Sequence, residues 1–199
     1  VDHGRLFRPE DLALLEQPDR DAWQRPEQIM DALRTSEGRV VVDIGAGSGW
    51  FTIRLARRVR PGGHVFAEDV QRQMIESIAR RVEREQLDDV VTTVLGTRAD
   101  PGLPPDTVDA VLIVDAYSEM DEPVQLLRNV ARALREDGRI GIVNFKKDGH
   151  GPGPEMHERV DPERVIADAQ AAGLHLLERP DFLPYQYMLI FGKQPPAAQ

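Results

Sequence analysis

Val40-Val41-Val42-Asp43-Ile44 runs without a break into Gly45-Ala46-Gly47-Ser48-Gly49, and then into a segment whose Phe51, Leu55, Ala56 and Val59 recur at helical spacing. A strand with so little polar alternation is buried on both faces, as a central strand of a parallel sheet is. Glycines between such a strand and a helix permit a sharp turn and leave the main chain open to close approach by a ligand. The rest of the chain repeats this alternation. Strands are expected at His64 to Glu68, Val90 to Leu95, Val108 to Val114, Arg139 to Phe145, Leu174 to Arg179 and Tyr187 to Phe191. Helices are expected between them. One carries Met74, Ile75, Ile78, Ala79 and Val82, one runs from about Pro123 to Leu134, and one is capped by Asp161 and closed by Gly173. This order implies a doubly wound α/β fold whose ligands lie at the carboxyl ends of the strands.

Ahead of this domain, residues 1–37 read as a helical cover. It has a short helix from Pro9 to about Glu16 and another opened by Pro26 and carrying Ile29, Met30 and Leu33, joined by a connector, Asp21 to Pro26. Trp23 in that connector is expected to pack onto the main domain, which spans residues 38–193. Residues 194–199 read as a disordered tail. Lys146 to Pro154, rich in glycine and proline, reads as a mobile loop suited to a lid. The 199 residues suffice for one such domain with a substantial core, and are too few for two.

Charge and composition narrow the partners. The net charge of −9, with arginines scattered among carboxylates, argues against extended nucleic-acid binding, because phosphates need a concentrated basic face. The absence of cysteine excludes disulfides, thiolate metal sites and cysteine nucleophiles. No apolar run approaches the roughly 20 residues of a membrane span, so a soluble protein is expected. The cytoplasm is the favoured compartment; the start at Val1 indicates a processed or trimmed form and leaves a removed secretory signal open.

The glycine turn is flanked by acids. Asp43 precedes the first glycine by two residues, and Trp50 stands where a dinucleotide fingerprint has its third glycine. A carboxylate there suits a cationic ligand and repels a phosphate, which favours a sulfonium amino acid over a nicotinamide dinucleotide. Asp69, twenty residues after Gly49 at the end of the second strand, is positioned to accept both hydroxyls of a ribose, and is preferred to Glu68 because it lies just past the apolar run.

With these residues in view, Val41 to Gly49 resembles the first motif of class I S-adenosylmethionine-dependent methyltransferases, and Val65 to Asp69 resembles their second. Asp106 to Leu112 is similar to the stretch entering their fourth strand, and Leu134 to Arg139 to the turn before their fifth. The resemblance covers about residues 26 to 192. It implies a mostly parallel seven-stranded sheet in the order 3-2-1-4-5-7-6, with strand 7 antiparallel. It also implies S-adenosyl-L-methionine as cofactor, left as S-adenosyl-L-homocysteine. Carried over residue by residue, Asp43 and the backbone of Gly45, Ala46, Gly47, Ser48 and Gly49 would hold the methionine end. Asp69 would hold the ribose, with Val70 packed on adenine. Gly96, Thr97 and Arg98 would lie beside the adenine edge, and Asp115 would face the amino-acid end. Thr97 departs from the acid common at its position in that family, with Asp100 available as a substitute.

Methyl transfer from a sulfonium is an in-line displacement that needs alignment, exclusion of water and, for some acceptors, a base. The acceptor is expected to be a small molecule, held by the segments after strands four and five and by the cover. Trp23, Tyr117, Lys146, His150 and Tyr185 are the candidate contacts, with Ser118, His157 and Tyr187 nearby. Tyr117, Glu119 and His150 are the candidate bases, since relatives acting on small molecules often carry histidine at Tyr117-Ser118-Glu119 and this chain has none there. Asp115 and Asn144 lack a third oxygen ligand, so no metal is assigned. The alternative is a cofactor-binding, non-catalytic subunit supporting a partner protein; a homodimer is left open.

Overall fold

The computed structural model describes residues 6–8 and 15–196. Its seven strands are β1 (Val40–Ile44), β2 (His64–Asp69), β3 (Val91–Leu95), β4 (Val108–Val114), β5 (Leu134–Phe145), β6 (His175–Glu178) and β7 (Gln186–Gly192). They form one sheet in the order β3-β2-β1-β4-β5-β7-β6. β7 runs antiparallel to both neighbours and the other pairings are parallel. This is the expected Rossmann-like architecture.

Among the described residues six α-helices flank the sheet: α1 (Arg20–Gln24), α2 (Pro26–Ala32), α3 (Trp50–Val59), α4 (Arg72–Arg84), α5 (Pro123–Ala133) and α6 (Pro162–Ala171). Each buries the stripe that its spacing dictates. On one face, Ile29, Met30 and Leu33 from the cover join Leu55, Ala56, Ile78 and Val82 against the sheet. On the other, Leu127 and Val130 of α5 and Val165 of α6 pack over Val42, Val111 and Ile142. The cover therefore shares the core of the main domain.

Local signals set the helix ends. The Asp161 side chain accepts from the Glu163 amide at 3.0 Å, and Gly173 takes up a positive φ beyond α6. At the far end of the sheet from the glycine turn, Asp109 accepts from the Val40 amide at 2.8 Å and pairs with Arg39 and Arg135.

The structure departs from the sequence expectations in three places. Asp21 to Gln24 of the connector belong to helix α1, little more than a single turn and too short to show periodicity, ended by Arg25 in the left-handed region. Asp137-Gly138 is not a turn ahead of β5 but part of a bulge within it: Leu134 pairs with Val108 and Arg139 with Ala110. The loop after β5 is stitched down, because Arg159 donates to the carbonyls of Lys146, His150 and Pro154. Most of the helix expected from Pro9, and tail residues 197–199, lie outside the described residues; Gln194 is bound to Glu136.

Candidate active site

A cavity of about 610 Å³ opens at the carboxyl ends of β1, β2, β4 and β5, within the range of about 300–1,000 Å³ usual for small-molecule sites. The glycine turn forms its floor. Gly45 sits at φ 68, and a Cβ there would fall 2.5 Å from the Cβ of Ala116, so the close approach of β1 and β4 requires glycine. Both acids ending β2 hold this turn. Glu68 Oε2 accepts from the Gly45 amide at 3.4 Å, and Asp69 Oδ2 from the Gly47 amide at 3.1 Å, while Asp69 Oδ1 accepts from Gln71. Asp69 thus faces the bend, as expected. Asp43, 3% exposed, accepts from the Thr52 hydroxyl at 2.7 Å.

Crowding carboxyl groups away from water raises their pKa values. Burial lifts Asp43 to about 7 despite the Thr52 hydroxyl and nearby Arg20. Burial and the adjacent Asp69 lift Glu68 to about 8, and burial raises Asp69 too. Asp115 is lifted to about 6, burial outweighing Arg20 and the two amide side chains that bind it. Those amides are Gln186, which donates from Nε2 to both Asp115 oxygens at 2.8 and 2.9 Å, and Gln24 at 3.3 Å. Asp115 occupies the left-handed region at φ 54, a strained position of the kind found at functional sites. The cation among these acids comes from α1: Arg20, whose guanidinium lies 4.1 Å from the Trp50 ring centroid. Sequence reasoning missed Arg20, Gln24 and Gln186, which belong to no local motif.

Of the expected cofactor residues, Asp43, Gly45, Ala46, Gly47, Ser48, Asp69, Val70, Thr97, Arg98 and Asp115 line the cavity. Gly49 and Gly96 do not. Gly49 caps α3 with Ile78 and Arg81 behind it, and Gly96 clears space for Glu68, whose Oε1 would lie 1.8 Å from an added Cβ. Arg98 turns to Asp121 at the rim. Asp100 does not replace the acid missing at Thr97: it binds Thr97 and Gly102 and closes its own loop.

The acceptor candidates divide more sharply. Trp23, Ser118 and Glu119 line the cavity. Tyr117 does not; it is 3% exposed, packs in the core under α5 and α6, and donates to Asp168 at 2.7 Å. The Lys146 ammonium is taken up by the Leu183 carbonyl, and His150 is exposed beside Asp148. Tyr185 packs against Gly151, and His157 is exposed. Asn144 lines the cavity with Asp115 and donates through Nδ2 to the Tyr187 hydroxyl. Beyond the glycine turn, the cavity ends in Trp23, Phe145 and Arg159, with the two rings 5.5 Å apart.

Glu119 stands between the two ends, its carboxyl pushed up to about 7 by burial, against the Phe7 amide and with Asp69 and Glu158 nearby. Phe7 crosses the cavity mouth, donating to Glu119 Oε2 at 3.2 Å and accepting from Gln71 at 3.0 Å.

Residues 41–138 match the family model of a methyltransferase domain. Over 123 residues the chain is 37% identical to an uncharacterized methyltransferase of Mycobacterium tuberculosis, covering 62% of this chain and 46% of that one. It is 30% identical over 145 residues to the nocamycin O-methyltransferase of Saccharothrix syringae, covering 72% and 50%. The chain thus spans about half the length of these relatives. A solved S-adenosylmethionine-dependent methyltransferase from Aquifex aeolicus superposes with a TM-score of 0.88 at 25% identity, over 94% of this chain and 98% of that one. Among the described residues no helix is long and apolar enough to cross a membrane.

Proposed function

Because the chain belongs to the class I S-adenosylmethionine-dependent methyltransferase family, we propose that it transfers a methyl group to a small or medium-sized acceptor at oxygen, nitrogen or carbon. One observation carries this reading: the acids ending β1, β2 and β4 converge on the glycine turn, in a cavity that continues without interruption to an aromatic chamber. S-adenosylmethionine, when bound, supplies a methyl group on a positively charged sulfur, open to in-line displacement.

The chain's own residues divide the remaining work. Asp43 and Asp115 offer negative charge to the cationic amino-acid end, and Arg20 offers the counter-charge for its carboxylate. Asp69 retains acceptor capacity for the ribose hydroxyls beyond its two backbone donors. Phe7 and Trp23 cover the cavity and exclude water. Glu119 is the base that accepts a proton from the acceptor. Its near-neutral pKa allows both protonation states at physiological pH, the condition for efficient proton transfer.

Calorimetric titration with S-adenosylmethionine and S-adenosylhomocysteine tests the first part; no binding at millimolar ligand would refute it. Release of S-adenosylhomocysteine against a panel of hydroxylated, amino and activated-carbon acceptors tests the second. Binding without turnover on any acceptor is the outcome expected of a non-catalytic subunit.

A further inference from the structure

Arg159 is 7% exposed and lines the chamber beside Phe145, its guanidinium carbon 5.4 Å from the ring centroid. Its hydrogen bonds all go to neutral carbonyls: Nε to Pro154 at 2.9 Å, and Nη1 to Lys146 at 2.8 Å and His150 at 3.0 Å. Among the described residues no carboxylate pairs with it. A buried cation without a counter-charge is costly, and carbonyl dipoles satisfy its donors without neutralising it. The second terminal nitrogen, Nη2, donates to no described group, and is not among the side-chain atoms sealed from solvent. Gly153 permits its approach, since a Cβ there would fall 3.0 Å from Nη2.

The neighbouring charges leave this cation dominant at its end of the cavity. Glu158 is exposed to solvent, where its charge is screened, and burial leaves Glu119 only partly ionised near neutral pH. The Phe145 ring lies beside the guanidinium with Trp23 packed on it, and among the described residues the buried Trp23 Nε1 also has no hydrogen-bond partner. An aromatic wall ending in a guanidinium with free donors matches a flat molecule ending in an oxyanion.

We infer that Arg159 selects acceptors that carry a carboxylate on a planar, unsaturated body. This rests on the methyltransferase reading of the same site and names its substrate class. The carboxylate takes the unused Nη2 donors, the ring system lies against Trp23 and Phe145, and the nucleophilic atom is left toward Glu119 and the glycine turn.

The test compares matched pairs: benzoate, 4-hydroxybenzoate, salicylate and cinnamate against their primary amides. Binding to the S-adenosylhomocysteine-loaded protein is measured by calorimetry, and turnover with S-adenosylmethionine is followed in parallel. The acids are expected to bind at least ~10-fold more tightly than the amides, as a charge-assisted pair predicts. In Arg159→Gln that ratio should fall to about one, and Arg159→Lys should restore part of it. S-adenosylhomocysteine affinity, measured on each variant, reports that the cofactor end is intact. A residue that merely pins the loop would lower affinity for acids and amides alike. That result, amides binding as well as acids to the wild type, or no acid binding to the loaded protein would overturn the inference while leaving cofactor binding standing. Failure of S-adenosylhomocysteine itself to bind would overturn the underlying reading instead.

Discussion

Cofactor binding should release protons, and the raised carboxyl groups around the glycine turn allow the size of the effect to be worked out. In the ligand-free protein Asp43 titrates at about 7 rather than the ordinary 3.8, because burial disfavours its charge. At ~1.4 kcal/mol per pKa unit, that difference sets about 4 kcal/mol against ionisation. A cationic group brought within about 4 Å supplies an attraction of about 4 kcal/mol at the effective dielectric of a protein site. The two terms match, so binding a sulfonium amino acid should return Asp43 toward its ordinary range, with Asp115, at about 6, contributing at the lower end. A ligand that lowers a site's pKa expels its proton, so affinity must rise with pH up to the unbound value and then level off. Affinity for S-adenosylmethionine should therefore increase by up to ~10-fold per pH unit for each carboxyl that loses its proton, between about pH 5 and 7, with a shallower rise for S-adenosylhomocysteine, which keeps the ammonium but has a neutral sulfur. Calorimetry at pH 6 in two buffers of different ionisation enthalpy counts the protons directly. Equal enthalpies in the two buffers, with affinity flat from pH 5.5 to 7.5, would refute the reasoning.

The same raised carboxyls make the ligand-free protein bind more protons folded than unfolded. Their contribution to stability should thus fall as pH rises from about 4.5 to 8, a decline in Tm that saturating S-adenosylmethionine should flatten. Asp69→Ala should weaken S-adenosylhomocysteine binding at least ~10-fold by calorimetry, since it removes the ribose acceptor and leaves the Gly47 amide without its partner. Glu119→Gln keeps an oxygen for the Phe7 amide but not the base; kcat should fall ~10²–10⁴-fold for an acceptor that loses a proton, with cofactor affinity unchanged. Tyr117→Phe should cost ~1 kcal/mol in urea unfolding through loss of the Asp168 bond, and leave cofactor affinity unaltered; a selective loss of turnover would return Tyr117 to the site.

The cofactor end was legible because its parts are neighbours in the chain. β1 and β4 lie where predominantly apolar runs placed them, residue for residue, since a strand buried on both faces is rich in Val, Ile and Leu with little polar alternation. The acids at 43, 69 and 115 follow from the same strand ends. The choice within Tyr117-Ser118-Glu119 was not legible. These residues form a 3-10 turn, and which of them enters the cavity depends on how that turn leaves β4. Tyr117 goes down onto α6 and Glu119 goes across to Phe7. Arg159 was hidden differently. Directly after exposed His157 and Glu158 it reads as one more solvated charge, and only the fold of the preceding loop buries it.

This contrast has a physical origin. Negative charge at the glycine turn comes from strand ends, whose positions the sheet register fixes, and those residues lie between positions 43 and 115. The cations Arg20 and Arg159, and the rings of Trp23 and Phe145, come from α1, the end of β5 and the loop beyond it. They meet only because α1 packs back over the sheet, through Gln24 on Gln186 at 2.9 Å and Trp23 on Phe145. Changes in these peripheral segments can therefore alter the shape and charge of the acceptor chamber without moving the strand-end carboxyls. Trp23→Leu, which removes the ring packed on Phe145 and touches neither Asp43 nor Asp115, should accordingly change acceptor selectivity more than it changes cofactor affinity. The opposite result would mean that α1 serves mainly to hold Asp115.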